Sequence, residues 1–207
     1  TKLARLRRHV RLIHQKTTLT TDSLNYDRKK NIAYYFSGGM IEDSLNTLTS
    51  RWGQYTPDNH QAIFRDEVKL VNPKFVLTAD TLGYNTETYQ SDIVGPTTIL
   101  YDEETTILST NGWYNTQTEL SMLLDRSRII HVDGITLTGD TIYYDKANGY
   151  GRSLGNIEST DSTNHMTLYG NVSEVWEDGG RGYVTDSAML LDWSDSTAFT
   201  YMHADTL

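Results

Sequence analysis

One phrase returns along this chain at nearly constant spacing. Leu19-Thr-Thr-Asp22-Ser-Leu24-Asn-Tyr26 comes back as Leu77-Thr-Ala-Asp80-Thr-Leu82-Gly-Tyr84 and again as Leu137-Thr-Gly-Asp140-Thr-Ile142-Tyr-Tyr144. Met202-His-Ala-Asp205-Thr-Leu207 is the same phrase cut short. Weaker copies lie between, as Leu48-Thr-Ser-Arg51-Trp52-Gly-Gln-Tyr55 and Leu108-Ser-Thr-Asn111-Gly-Trp113. The Asp-equivalent positions are then 22, 51, 80, 111 and 140, with steps of 29, 29, 31 and 29. A fixed period of this size means one supersecondary unit stacked on itself, and a stack builds a long surface instead of a single pocket.

The residues between turn signals are rich in Thr, Tyr, Val, Ile and Leu, which suit a pleated, half-buried surface. In Ala62–Leu70, Phe64, Val68 and Leu70 point one way and Arg65, Glu67 and Lys69 the other, with Asp66 breaking the apolar face. The chain therefore reads as all-β, with two strands per unit of about 29 residues. Glycines recur at matching places, as in Ser37-Gly38-Gly39, Val94-Gly95 and Leu154-Gly155-Asn156. Inside strand patterns they mark bulges or bends, and a bend repeated in every unit would curve the stack into a half-pipe. The step from Asp140 to Asp186 is 46, which predicts an extra strand or a longer loop in the last units. The recurring Asp side chains read as partners of nearby backbone amides. Trp52 and Trp113 fall near equivalent places and read as core packing.

Chemistry is thinly signalled. With no cysteine, a thiol nucleophile, a cysteine-ligated metal and a disulfide framework are all excluded. Six histidines show no paired metal spacing. Gly151-Arg-Ser153-Leu-Gly155 matches the nucleophile-elbow pattern, but that elbow needs a strand, a tight turn and then a helix, and strand-like sequence follows here. Gly179-Gly-Arg-Gly182 reads as a hairpin turn. No catalytic residue, metal or cofactor is expected. A net charge of −9 argues against nucleic acid as a partner. The cations are nevertheless concentrated: Lys2, Arg5, Arg7, Arg8, Arg11, Lys16, Arg28, Lys29 and Lys30 are half of the 18. This cluster is either a solvated strand or a phosphate-binding entrance.

The repeated phrases, with Tyr169-Gly170-Asn171-Val172 and Tyr183-Val-Thr-Asp186-Ser-Ala188, resemble the OstA-like (organic solvent tolerance) family over about residues 10 to 207. The Ser/Thr/Tyr-rich wording is most similar to its longer, Bacteroides-type members. The family includes the periplasmic bridge protein of lipopolysaccharide transport and the N-terminal domain of its outer-membrane partner. The resemblance implies one domain over residues 1–207, a semi-open antiparallel β-jellyroll shaped as a V-shaped trough. It implies lipid A acyl chains inside the trough, end-to-end joining with like domains, and a periplasmic location. It carries over no catalytic residue. Alternating, mostly apolar strand positions nominate Phe36, Phe64, Val68, Leu77, Ile93, Leu108, Leu137, Leu154 and Val172 as trough lining. Arg5, Arg7, Arg8 and Arg11 are the candidate phosphate contacts. The chain starts without a signal sequence and stops inside the phrase, so it reads as a segment of a longer protein whose edge strands can self-associate. The competing reading is a structural β-solenoid module of a surface or adhesive protein, its interior packed shut.

Overall fold

A computed structural model describes residues 3–14, 16–195 and 197–207. They fall into two compact units, Thr1–Asp102 and Glu103–Leu207. The first contains β1 (Leu3–His14), β2 (Thr17–Asp27), β3 (Ile32–Tyr35), β4 (Gly39–Glu42), β5 (Thr47–Ser50), β6 (Trp52–Thr56), β7 (Gln61–Asn72), β8 (Phe75–Asn85) and β9 (Gln90–Tyr101). The second contains β10 (Thr105–Asn115), β11 (Leu120–Leu124), β12 (Ser127–His131), β13 (Ile135–Gly139), β14 (Thr141–Asp145), β15 (Tyr150–Asp161), β16 (Met166–Trp176), β17 (Arg181–Asp192) and β18 (Thr200–Thr206). The pairings are antiparallel, and short 3-10 turns at Pro57–Asn59 and Lys146–Asn148 are the helical elements among the described residues. The expectation of an all-β chain with two strands per repeat is met.

Each long strand is interrupted at its middle. In β7 the register shifts between Arg65 and Val68, and the residues between, Asp66 and Glu67, have φ of 62° and 56°. Arg8 and His9 do the same in β1, and Asp186 and Ser187 in β17. Two successive left-handed residues turn a strand sharply. β3 and β4 are the two halves of one such strand, broken at Phe36–Gly38. They pair with opposite halves of β2. The corner row divides each unit into two half-sheets. The apparent defect at Asp66 in the sequence pattern is this corner: Phe64 before it and Val68 and Leu70 after it share the inner face.

The Asp-equivalent residues sit at the corners of the alternate strands, and Asp22, Asp140 and Asn171 hold the neighbouring corner. The Asp22 carboxylate accepts the backbone N–H of His9 at 2.8 Å, and Asn171 Oδ1 accepts that of Asn156 at 3.3 Å. Asp140 accepts the Asn156 side-chain amide at 2.6 Å. The 46-residue step has a simple origin. Asn171 takes the Asp place 31 residues after Asp140, while Asp186 belongs to a corner on the partner strand, so no extra strand is inserted between Asp140 and Asp186. The longer connection lies between β17 and β18.

Inside the first unit the half-sheets meet in one core of Tyr35, Leu48, Ala62, Phe64, Val68, Leu77 and Leu82. Val68 and Leu82, beside the corner, are each 1% exposed. Burying a side chain of this size contributes ~1.5–3 kcal/mol, so these corner rows stabilise the bend. Ser153 is buried mid-strand in β15, opposite Ile142 and Ser173, and not on a strand-to-helix elbow.

Candidate lipid-facing surface

Cross-strand register builds an apolar ladder on the inner face of the first unit. Leu12 opposes Leu19, which opposes Ile41; then Leu48, Leu70, Leu77 and Ile99 follow, one per long strand. The alternate members Leu12, Ile41, Leu70 and Ile99 are 29 residues apart, as are Leu19, Leu48 and Leu77. Leu48 and Leu77 are closed into the core, whereas Leu19, Ile41, Leu70, Phe75 and Ile99 are only partly covered by it. The interior is thus filled at the corner and less covered away from it. The second unit repeats the ladder as Ile107, Ile129, Leu137, Ser159, Leu168, Leu190 and Met202. Its corner rows are smaller and more polar, with Ser109, Ser127, Ser153 and Ser173 all buried.

The nominated lining residues divide. Phe64, Val68, Leu77 and Ile93 lie in the interior of the first unit, all buried, and Leu137 is a rung of the second ladder. Phe36, Leu108 and Leu154 face outward, 51%, 38% and 37% exposed, and Val172 pairs with Leu154 on that outer face. Each of the four stands one residue from an inner position: Tyr35, Ile107, Ser153 and Ser173. A one-residue slip along a strand moves a side chain to the other face. The weak copy at Leu108 was aligned one residue late: Ser109 and Gly112 match Ser50 and Gly53, which puts the corner at Thr110 instead of Asn111. The ladder residues Leu12, Leu19, Ile41, Leu48, Leu70 and Ile99 were absent from the nominated set. Their own 29-residue spacing was the signal for them.

Of the basic cluster, Lys2 lies outside the described residues. Arg5, Arg7, Arg8 and Arg11 are exposed on β1. Arg7 is engaged locally: it donates to Asn25 Oδ1 at 2.8 Å and its guanidinium lies 5.3 Å from the Phe36 ring centroid. Among the described residues of the first unit β1 pairs with β2 alone, and Leu6, Leu12 and Ile13 along it are exposed. In the second unit β18 pairs with β17, and Tyr201 and Met202 are exposed on it.

Trp52 and Trp113 are outward-facing, not core. Arg65 covers the Trp52 ring at 5.1 Å, and Trp113 opposes Met122. A further outer cluster gathers on β14 to β17. Tyr143, Tyr150, Trp176 and Tyr183 follow one another with ring centroids 6.3, 5.6 and 6.0 Å apart. Burial, then the hydrogen bond to Glu174, raises the Tyr150 phenol above its ordinary value; for Tyr183 the Glu174 bond comes first. Both phenols stay protonated donors at neutral pH.

No helix among the described residues is long and apolar enough to cross a membrane. No group of three or more His, Asp or Glu among them is placed to hold a metal ion. No curated protein matches the chain. Among solved structures it is similar to LptH, the LptA homologous periplasmic component of the conserved lipopolysaccharide transport device from Pseudomonas aeruginosa. That similarity is at 19% identity and a TM-score of 0.44, covering 48% of this chain and 75% of that one. Residues 1–80, from the start of the chain to the corner of β8, match the model of the OstA-like protein family.

Proposed function

We propose that the chain binds the acyl chains of lipopolysaccharide along the inner apolar ladder and passes them along it in the periplasm, toward the outer membrane. One observation carries this reading: Leu and Ile rungs run from strand to strand on the inner face, and several are incompletely covered away from the corner. Each buried methylene is worth ~0.8 kcal/mol. Equivalent rungs at every strand offer similar contacts, so a chain can shift from one to the next over small barriers. The lipid phosphates would stay outside, where Arg5, Arg8 and Arg11 are exposed on the edge strand.

The same reading makes residues 1–207 one OstA-like domain whose edge strands β1 and β18 join like domains or further copies. Free backbone groups on an edge accept another strand. Charge supports a polar arrangement of copies. Residues 1–102 carry 13 Lys/Arg and 11 Asp/Glu, whereas residues 103–207 carry 5 and 16.

A second reading, a structural module with its interior packed shut, is favoured by the second unit. There a Cβ on Gly170 would collide with Val184, so the corner rows touch. A fluorescent fatty-acid probe, displaced by lipopolysaccharide, separates the two. Saturable binding with displacement supports transport. A folded chain that leaves the probe in water supports the structural module.

A further inference from the structure

The outer face of the second unit carries aromatic side chains in mutual contact. Six strands, β10, β11, β14, β15, β16 and β17, lie side by side there. Trp113, Met122 and Tyr143 oppose one another on the first three, and Tyr143, Tyr150, Trp176 and Tyr183 continue the band. The inner positions of the same strands hold Gly112, Leu123, Ile142, Ser153, Ser173 and Val184, so the core is supplied from that side. The large aromatic side chains stand on the other face, where core formation does not require them.

Polar groups are set into the band. The Glu174 carboxylate lies among these rings and helps raise the Tyr150 and Tyr183 phenols above their ordinary values. That carboxylate is 3.6 Å from Arg152 Nε, and the Arg181 guanidinium lies 5.4 Å from the Trp176 centroid. Flat rings alternating with planar charged groups match a ligand that alternates C–H faces with hydroxyls. Ring faces take the C–H patches, and carboxylate and guanidinium take the hydroxyls.

Size and charge choose among occupants. Six strands at ~4.8 Å spacing and two rows of side chains give a band on the order of 300 Å². A stable protein interface needs ~800 Å² per partner. The excess of acidic residues in this unit, 16 against 5 basic, disfavours an anionic lipid surface. We propose that this outer face binds a neutral saccharide chain. The site is separate from the apolar ladder and stands whether or not the interior carries lipid.

Affinity electrophoresis of the full chain in gels containing dextran, a β-glucan or an α-mannan tests this. Retardation by at least one polysaccharide is expected, with the dissociation constant raised about tenfold or more in Trp176→Ala. The Tyr150→Phe/Tyr183→Phe pair keeps the rings and removes the hydroxyls, so it covers the case in which Trp176→Ala fails to fold; it should weaken retardation several-fold. Trp52→Ala, in the other unit, should leave it unchanged. The proposal is overturned if none of the three polysaccharides retards the chain, or if retardation is the same in the folded variants. It is equally overturned if the variants lose vesicle binding or self-association instead.

Discussion

The ring of Tyr35 fills the space where a side chain at residue 53 would begin: a Cβ on Gly53 would lie 2.5 Å from it. The Tyr35 hydroxyl then meets Ser50 Oγ at 2.5 Å, on the far side of the corner. One side chain thus ties the two half-sheets together, and a glycine opposite makes room for it. Gly53→Ala should destabilise the chain by ~1–3 kcal/mol through overpacking. Tyr35→Phe should cost ~1 kcal/mol, since Ser50 keeps its bond to the Trp52 carbonyl. Urea midpoints check both. A neutral Gly53→Ala would show that the ring can move aside.

Leu70 and Val71 are neighbours on β7 with opposite orientations, Leu70 on the ladder and Val71 exposed outward. Leu70→Asp should weaken binding of the fluorescent acyl probe at least tenfold, because a carboxylate on the inner face meets apolar chains without a partner. Val71→Asp should leave it nearly unchanged. Titration of the two folded variants under the same conditions reads the difference.

How far this was legible from the sequence depended on the strength of each repeat. Where Leu, Asp, Leu and Tyr recur together, as at 77 to 84, strand, corner and face all followed from the period. Phe64, Val68, Leu77 and Ile93, on strands with clear alternation or a strong copy, do lie inward. At Leu108, Leu154 and Val172 the inner position holds Ser or Gly, or lies one residue away, and hydrophobicity alone pointed to the outward neighbour. Corners add to this. A two-residue left-handed bend shifts the count along the strand, and only pairing across strands fixes it.

Acid should loosen the strand-end turns. The Asp27 carboxyl is held below its ordinary value by the backbone N–H groups of Lys29 and Lys30, and Asp161 by the backbone N–H and then the side chain of Asn164. A carboxyl lowered in the folded state favours folding above its unfolded value, near 3.8, and that contribution is lost as pH falls through the lower folded value. Stability should therefore fall as the pH drops below about 4, and less steeply in the Asp27→Asn/Asp161→Asn pair. Thermal melts across that range check the slope; identical slopes would remove these turns as the source.

Edge strands β1 and β18 should support association of copies. Light scattering should show species larger than a monomer as concentration rises, reduced by Leu12→Lys and by salt, since the edges differ in charge. A monomer at every concentration, with and without salt, would contradict strand joining.

The most direct test of lipid passage along the ladder is site-specific photo-crosslinking to lipopolysaccharide. A photoreactive residue is placed in turn at Leu70 and Leu168, on the ladder, and at Leu108 and Leu154, facing outward. The account predicts crosslinked lipid at 70 and 168 and little at 108 and 154. Equal crosslinking at all four, or crosslinking confined to 108 and 154, would contradict it.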